Sequence, residues 1–251
     1  MVGQRRESHL EDIQGEIILK KVDVIIPTLR KVHAFSCFDR LHHIPWPYHL
    51  HVVTGGKTWA EAINIGLKQT DGKNDVILMD DDVFINESTF SRVEEFYPKS
   101  DIFGFKLLFS NNTIQHYGGI VRNGEIGHVG YEMQNDARFS VPLYVCHATT
   151  SLVYIKRHVL DRLVGMAEDI PGIQCEDVDF SFRALKNGFQ IMVLPNDAIH
   201  LQSASKKFTP QFNDKVAVAF EEIKSRHFSD EEFLSRVEEF PIKMLDLEVV
   251  S

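Results

Sequence analysis

A short apolar run that ends in three consecutive aspartates constrains this chain more than any other stretch of its sequence. Residues 76–79 are continuously apolar and rich in β-favouring side chains, and Asp80, Asp81 and Asp82 follow them directly. A strand of this composition is typical of a parallel sheet whose two faces are covered by helices. Because ligands of open α/β sheets bind beyond the carboxyl ends of the strands, the position of the aspartates predicts a site there.

The three adjacent carboxylates have two interpretations. They repel one another, and a hard divalent cation with oxygen ligands is the simplest way to stabilise them. A solvated acidic turn is the alternative, because short acidic motifs also occur without a ligand. The triplet by itself leaves both interpretations open.

The composition indicates an ordinary globular protein. The chain has 251 residues, of which 43% are hydrophobic, enough for a substantial core, and its formal net charge of -9 does not favour a nucleic-acid partner. No apolar run is long enough to span a bilayer and residues 1–16 are too polar for a signal peptide, so a cytoplasmic protein is predicted. Cys37, Cys146 and Cys175 have neither disulfide nor zinc-ligand spacing.

The order of the predicted elements in the first part of the chain favours an α/β fold. Buried strands are predicted at residues 22–26 and 50–53, and Thr58 with Glu61 predicts a capping box at the start of a helix. The strand that ends in the aspartates comes next. A strand, a helix and a further strand in succession imply a right-handed crossover with parallel pairing.

The later part of the chain predicts an antiparallel insertion followed by helices. Helices are predicted at 87–96, 156–166, 176–186 and 211–240, and strands at 103–109, 113–121, 125–131 and 189–194. Asn111-Asn112 and Asn123-Gly124 predict the hairpin turns of the insertion.

A single domain over residues 1–251 is predicted, because no repeat or linker divides the chain. Its core covers about residues 21–205, and a helical extension covers about 206–251. The basic and aromatic cluster at 206–208 has two interpretations, a peripheral contact with the inner face of a membrane or the ordinary solvated start of the extension.

A second acidic cluster and a histidine follow the insertion. Glu176, Asp177 and Asp179 open a predicted helix, where acidic side chains also serve simply to cap the peptide dipoles. His200 lies just past a predicted strand, and a lone histidine is more often packed or solvated than a ligand. Each feature alone has an ordinary structural explanation, so its significance depends on the others.

Taken in order, five segments of the chain resemble glycosyltransferase family 2, a group with the GT-A fold. The segments read VDVIIPTLR, AINIGL, VILMDDDV, GFKLLFSNNTIQHYGG and CEDVDFSFRALKNGFQIMVLPNDAIH, and the fourth is similar to bacterial rhamnosyltransferase-like members. The resemblance implies an α/β, GT-A (Rossmann-like) fold. Such a fold has a mostly parallel sheet flanked by helices, with a small antiparallel insertion and C-terminal helices.

The resemblance also implies roles for individual residues. Asp82 would ligate Mg²⁺ or Mn²⁺, His200 would complete the metal site, and Asp177 would be the general base. Glu176 would be a candidate for positioning the acceptor. The nucleotide-binding residues implied in this way are Pro27, Thr28, Asn64, Asp80 and Asp81.

The implied activity is that of an inverting, metal-dependent glycosyltransferase. It would move a hexosyl or deoxyhexosyl group from a nucleoside-diphosphate sugar to a hydroxyl of a carbohydrate or lipid-linked acceptor, in surface polysaccharide or glycoconjugate synthesis. A divalent cation can neutralise the departing diphosphate, and a carboxylate can take the acceptor proton. Residues 53–56 read Val-Thr-Gly-Gly where many relatives carry Asp-Asp-Gly-Ser, and Ile63 replaces a usual Arg, so the nucleotide base is open.

Other functions are compatible with the same acidic edge. A sugar nucleotidyltransferase or a phosphohydrolase would use it for metal-assisted attack at phosphorus. The former needs a glycine-rich phosphate loop after the first strand, whereas PTLRKVHAFS contains Arg30 and Lys31 but no glycine. A non-catalytic sugar-nucleotide-binding protein would bind the nucleotide without releasing free nucleoside diphosphate.

Overall fold

A mixed β-sheet with helices on both faces forms the centre of the molecule. The computed structural model describes residues 21–29, 39–171, 174–201, 210–240 and 249–250. Its strands are β1 (Val22–Pro27), β2 (Tyr48–Val53), β3 (Asp75–Met79), β4 (Val83–Phe84), β5 (Ile102–Leu108), β6 (Ile114–His116), β7 (Gly119–Arg122), β8 (Glu125–Val129), β9 (Leu143–Tyr144), β10 (Leu152–Ile155), β11 (Ile191–His200) and β12 (Val249–Val250). Its helices are α1 (Trp59–Gln69), α2 (Val93–Phe96), α3 (Arg157–Leu163), α4 (Glu176–Lys186), α5 (Pro210–His227) and α6 (Glu231–Glu238).

The strand order gives the predicted α/β architecture. The main path of the sheet runs β2-β1-β3-β10-β5-β11-β4, with β6 beside β5 and β9 beside β11. β1 is parallel to β2 and β3, and β11 is parallel to β5, whereas β10 runs antiparallel between β3 and β5. A small antiparallel sheet of order β12-β8-β7 lies apart from it. The predicted fold class is confirmed.

The strand that carries the aspartates is central and buried, as predicted. Residues 76–79 have no exposed surface, and alternate side chains of the neighbouring β1 enter two separate apolar clusters. Helix α1 packs closely on one face, because a Cβ on Gly66 would lie 2.4 Å from Cγ2 of Ile25. Only glycine permits this approach of helix and strand.

Helix α1 begins at the predicted cap. The hydroxyl of Thr58 accepts a hydrogen bond from the backbone N–H of Glu61 at 3.1 Å. The carboxylate of Glu61 accepts in turn from the backbone N–H of Lys57 at 2.6 Å, one residue before the cap. Two backbone donors at the start of the helix are thereby satisfied.

The predicted helix at 87–96 is wrong over most of its length, since only Val93–Phe96 is α-helical and a 3₁₀ turn follows at Tyr97–Lys99. Asn86 Oδ1 accepts from the backbone N–H of Ser88, and Thr89 Oγ1 accepts from that of Asn86. Such local side-chain bonds compete with helix formation.

Two other predicted elements are each divided into two in the structure. The strand predicted at 113–121 is interrupted before Gly118, whose φ of 95° is left-handed. The helix predicted at 211–240 is two helices, and Asp230 starts the second by accepting a hydrogen bond from the backbone N–H of Phe233.

Both predicted hairpin turns are confirmed. Asn112 has a φ of 66° between the antiparallel strands β5 and β6, and Asn123 and Gly124 have φ values of 51° and 72° between β7 and β8. Asparagine and glycine tolerate this left-handed backbone best.

Some of the sequence predictions concern residues outside the described ranges. They are the polar start at 1–16, the loop with Arg30 and Lys31, Cys37 and the cluster at 206–208. Among the described helices, none has the length and apolar character that a bilayer crossing needs.

Candidate active site

Strand pairing brings the aspartates and the distant histidine to one edge of the sheet. The chain passes directly from Asp82 into β4, which pairs antiparallel with the end of β11 so that Val83 lies opposite His200. The backbone N–H of Leu201 also donates to the carbonyl of Asp82 at 3.2 Å. The predicted strand before His200 therefore extends through the histidine itself, and this fixes His200 beside the acidic turn.

Asp80, Asp82 and His200 form a compact group of metal-ligand type. His200 Nε2 lies 3.1 Å from Asp82 Oδ1 and 3.8 Å from Asp80 Oδ2. One ligand atom from each residue lies within 4.8 Å of the other two. Two carboxylate oxygens and one imidazole nitrogen are a donor set for a divalent cation.

A hydrogen bond behind His200 orients its ring for such a role. His200 Nδ1 lies 2.7 Å from Oε1 of Gln115, and the pair is buried. Because Oε1 can only accept, Nδ1 carries a proton, and a ring with this single proton has the lone pair of Nε2 facing the carboxylates. That lone pair and a carboxylate oxygen 3.1 Å away repel unless a cation or a second proton lies between them. Metal-ligating histidines are commonly held in this way through their other nitrogen, so the residues fit a bound cation.

Asp80 is held from two sides. Its Oδ1 accepts a hydrogen bond from the indole N–H of Trp59 at 3.1 Å, and the Ser151 hydroxyl bonds to the same carboxylate. Burial raises the pKa of Asp80, while His200, Ser151 and Trp59 oppose this effect. The surrounding groups therefore compensate only part of the cost of burying the charge, which a cation would reduce further.

Asp81 contacts the loop that follows β1. Thr28 Oγ1 donates a hydrogen bond of 2.5 Å to Asp81 Oδ2. Thr28 directly follows Pro27 at the end of β1, and its backbone N–H donates to the carbonyl of Val53. The structure thus brings Pro27, Thr28, Asp80 and Asp81 to one edge, while their nucleotide-binding role stays a prediction.

Asn64 is used differently from the other predicted nucleotide-binding residues. Its Nδ2 donates to the carbonyl of Met166 at 2.9 Å and to Glu168 Oε1 at 2.7 Å, and its Oδ1 accepts from the backbone N–H of Met166 at 2.8 Å. The amide therefore ties the middle of α1 to the loop after α3. Its predicted contact with a nucleotide is untested.

The second acidic cluster lies in the first turn of α4. Asp179 accepts a hydrogen bond from Arg183 Nε at 2.6 Å and also lies 3.0 Å from His227 Nε2 of α5. Burial alone raises the pKa of Asp179, but His227 and Arg183 hold it below its ordinary value. This buried ion pair fixes the helix whose first turn presents Glu176 and Asp177.

A chain of contacts joins this helix to the metal-type group. Thr149 Oγ1 donates a hydrogen bond to the Ser151 hydroxyl, and the backbone N–H of Thr149 donates to His116 Nε2. His116 in turn contacts His128. The carboxylate of Asp177 in turn raises the pKa of His128. The charge of Asp177 therefore acts on His128 at the end of this series of contacts, while Asp177 itself is not part of the group that Asp80, Asp82 and His200 form.

Several of these residues were given no role from the sequence. The sequence places Trp59 at a helix start, and Gln115 and His116 lie in a segment that carries the family resemblance without an assigned chemistry. Their importance depends on contacts between distant segments.

Solved structures with a similar fold include a galactosyltransferase and two proteins in complex with UDP or UDP-GlcNAc. The catalytic domain of Drosophila β1,4-galactosyltransferase 7, in complex with xylobiose, has a TM-score of 0.50 at 13% identity and covers 79% of this chain and 80% of its own. S. aureus TarS 1–349, in complex with UDP-GlcNAc, has a TM-score of 0.52 at 17% identity and covers 87% and 70%. GalNAc-T7 with UDP, GalNAc and Mn²⁺ has a TM-score of 0.53 at 12% identity and covers 91% of this chain and 55% of its own.

Sequence comparison adds no further relative. No protein-family model matches the chain, and a search of curated proteins finds no match. Because the identities of the similar structures are low, their likeness shows the fold alone, which is GT-A.

Proposed function

We propose that this protein is an inverting, metal-dependent glycosyltransferase that uses a nucleoside-diphosphate sugar. The observation that carries the proposal is the convergence of Asp80, Asp82 and His200 at the carboxyl edge of a GT-A sheet. The complexes of TarS with UDP-GlcNAc and of GalNAc-T7 with UDP and Mn²⁺ support a nucleotide-sugar donor in this fold.

Asp80, Asp82 and His200 would hold the cation, and Mn²⁺ fits this set better than Mg²⁺. Mg²⁺ demands near-ideal octahedral geometry with oxygen ligands, whereas one of the three donors here is an imidazole nitrogen. When bound, the cation supplies positive charge to the departing diphosphate. Thr28 and Asp81, which contact each other at the end of β1, would line the nucleotide side of the cleft together with Pro27.

Asp177 would act as the general base, with Glu176 beside it to position the acceptor. Its carboxylate takes the proton of the acceptor hydroxyl as that oxygen forms a bond to the anomeric carbon. The bond from this carbon to the diphosphate oxygen breaks on the opposite face, so the configuration inverts. A carboxylate within hydrogen-bond reach of the hydroxyl contributes about 10²–10⁴-fold to such a step.

The finer parts of the proposal rest on the sequence resemblance. They are the transfer of a hexose or deoxyhexose as in rhamnosyltransferase-like enzymes, a carbohydrate or lipid-linked acceptor, and a place in polysaccharide or glycoconjugate synthesis on the cytoplasmic side, with or without peripheral membrane contact. No part of the metal chemistry depends on them.

Binding of nucleotides with and without Mn²⁺ tests the proposal. Thermal unfolding would be followed with UDP, GDP, ADP, CDP and dTDP, since a ligand present at 100 times its Kd stabilises the native state by about 2.7 kcal/mol. We expect at least one nucleotide to raise Tm only with Mn²⁺. Asp82→Asn should abolish this shift. Asp161→Asn, which alters an exposed carboxylate of α3 in the same way, should preserve it.

Product analysis separates transfer from the alternative functions. Incubation with the matching nucleotide sugar should release free nucleoside diphosphate in wild type and not in Asp82→Asn. Binding without any such release would indicate a non-catalytic nucleotide-binding protein. The absence of Mn²⁺-dependent binding for every nucleotide would refute the proposed function.

A further inference from the structure

A pair of histidines, of which His128 is influenced by the charge of Asp177, has its protons fixed by one backbone amide. His116 ends β6, and its Nε2 accepts a hydrogen bond from the backbone N–H of Thr149 at 3.1 Å. A backbone N–H can only donate, so Nε2 of His116 carries no proton. In the neutral ring the proton is therefore on Nδ1.

This assignment determines the tautomer of the next ring. Nδ1 of His116 lies 3.0 Å from Nδ1 of His128 in β8. Because His116 supplies the proton of this hydrogen bond, Nδ1 of His128 accepts it. The proton of neutral His128 is then on Nε2. The amide of Thr149 thus sets both tautomers, one through the other.

Both rings are neutral at physiological pH. Burial, followed by the neighbouring His128 and His147, lowers the pKa of His116 well below its ordinary value. Burial and then His147 lower the pKa of His128 to about 4, against the opposing effect of Asp177. His128 therefore presents an uncharged N–H, and neither ring competes with Asp177 for a proton.

The Nε2–H of His128 is available to a ligand. Among the residues that the structure describes, the hydrogen-bond partner of the His128 ring is His116. This bond uses Nδ1 of His128 and leaves its Nε2–H. His128 is half-buried, whereas His116 behind it is buried. The ring of Tyr131, whose centroid lies 6.1 Å from that of His128, adds an aromatic face beside the donor.

We propose that His128 binds the acceptor, with its Nε2–H donating a hydrogen bond to an oxygen of a carbohydrate beside Asp177. This inference rests on the proposed function and adds an acceptor-binding residue to it. A neutral donor next to an aromatic ring suits a neutral, polyhydroxylated ligand, because sugar oxygens accept hydrogen bonds and sugar C–H groups pack on aromatic faces. The uncharged N–H of His128 does not attract the anionic nucleotide sugar by charge. It therefore suits the sugar acceptor better than the nucleotide sugar.

Two substitutions at position 128 separate the hydrogen bond from the shape of the ring. His128→Phe removes both nitrogens, and His128→Gln keeps an amide N–H close to the position of Nε2. His158→Phe is the matched control, because His158 is a largely exposed imidazole of α3. Each variant would be assayed for transfer to a panel of p-nitrophenyl pyranosides, for hydrolysis of the nucleotide sugar without acceptor, and for the Mn²⁺-dependent thermal shift.

We expect His128→Phe to lower kcat/KM for the acceptor about tenfold, as for the loss of one hydrogen bond. The rate of nucleotide-sugar hydrolysis without acceptor and the Mn²⁺-dependent rise in Tm should stay within about twofold of wild type. His128→Gln should recover most of the transfer activity. Equal losses of transfer and hydrolysis, or unchanged acceptor kcat/KM in His128→Phe, would overturn the inference. A wild type that neither binds nor hydrolyses any nucleotide sugar would instead refute the proposed function, and the inference with it.

The tautomer can be measured without any substrate. Long-range ¹H–¹⁵N correlation spectra of the full chain identify the protonated nitrogen of each imidazole, and His128→Gln assigns the relevant signals by their disappearance. At pH 7 we expect the proton of His128 on Nε2. A proton on Nδ1 would overturn the inference even if every variant were active.

Discussion

Replacement of Asn64 by alanine distinguishes a structural role of this residue from the nucleotide-binding role that the sequence implies. In the structure its amide makes three hydrogen bonds, two of them to the backbone of Met166 and one to Glu168. Met166 is 4% exposed, so its N–H and carbonyl would be left without partners in a largely dry environment. Leaving a buried donor or acceptor unsatisfied costs about 1–3 kcal/mol. We therefore expect Asn64→Ala to lower the free energy of unfolding by about 3 kcal/mol.

Thermal and denaturant unfolding measure this loss. For a chain of this length about 1 kcal/mol corresponds to about 2–4 °C, so Tm should fall by about 6–12 °C. Gln69→Ala removes an exposed amide from the same helix and should change the free energy of unfolding by no more than about 0.5 kcal/mol. If Asn64→Ala unfolds like wild type but binds the nucleotide tenfold more weakly, the structural role is refuted and the nucleotide-binding role is supported.

Four shorter predictions follow from other parts of the structure. Asp177→Asn should keep Mn²⁺-dependent nucleotide binding and reduce transfer about 10²–10⁴-fold, and full turnover would exclude this residue as the base. Burial lowers the pKa of His147 to about 4 from an ordinary 6.5, so the unfolded chain binds more protons between these values. His147 should therefore contribute a loss of stability on the order of 3 kcal/mol as pH drops from 6.5 to 4, in addition to the losses due to His116 and His128, and unfolding titrations of His147→Phe should lack this contribution. Gly119→Ala should destabilise the fold by about 1–3 kcal/mol or more, because a Cβ there would lie 1.6 Å from Nε2 of His147, and a wild-type Tm would contradict this packing. Val164→Gly should raise the free energy of unfolding by about 1 kcal/mol, since an exposed β-branched residue holds a φ of 58° at the end of α3, and a lower Tm would argue against this strain.

Local sequence patterns correctly predicted the elements that are stabilised by residues close together in the sequence. The apolar run at 76–79 specified a central strand, and Thr58 specified the start of α1 because cap and helix are only a few residues apart. The helix predicted at 87–96 failed for a related reason, since the hydrogen bonds of Asn86 and Thr89 outweighed the helical spacing of apolar residues.

The sequence indicated the residues of the metal-type group but not the contacts that hold them in place. The resemblance pointed to Asp82 and His200, which lie far apart in sequence and meet because β4 pairs with β11. No residue pattern indicated that Gln115 would support the histidine or that Trp59 would hold Asp80. Such contacts depend on tertiary packing, which periodicity and composition do not encode.

The antiparallel course of β10 bears on how the acceptor specificity of such a protein could change. Because β5 ends and β10 begins near the same edge of the sheet, residues 109–151 form an insertion between these strands, of which β6 and β9 pair with β5 and β11. This insertion carries both histidines of the proposed acceptor contact, and also Gln115 and Ser151, which contact His200 and Asp80. Exchange of the β7–β8 hairpin, residues 119–129, carries away His128 but leaves Gln115, His116 and Ser151 in place, and is therefore a route to a new acceptor beside an unchanged metal-type group.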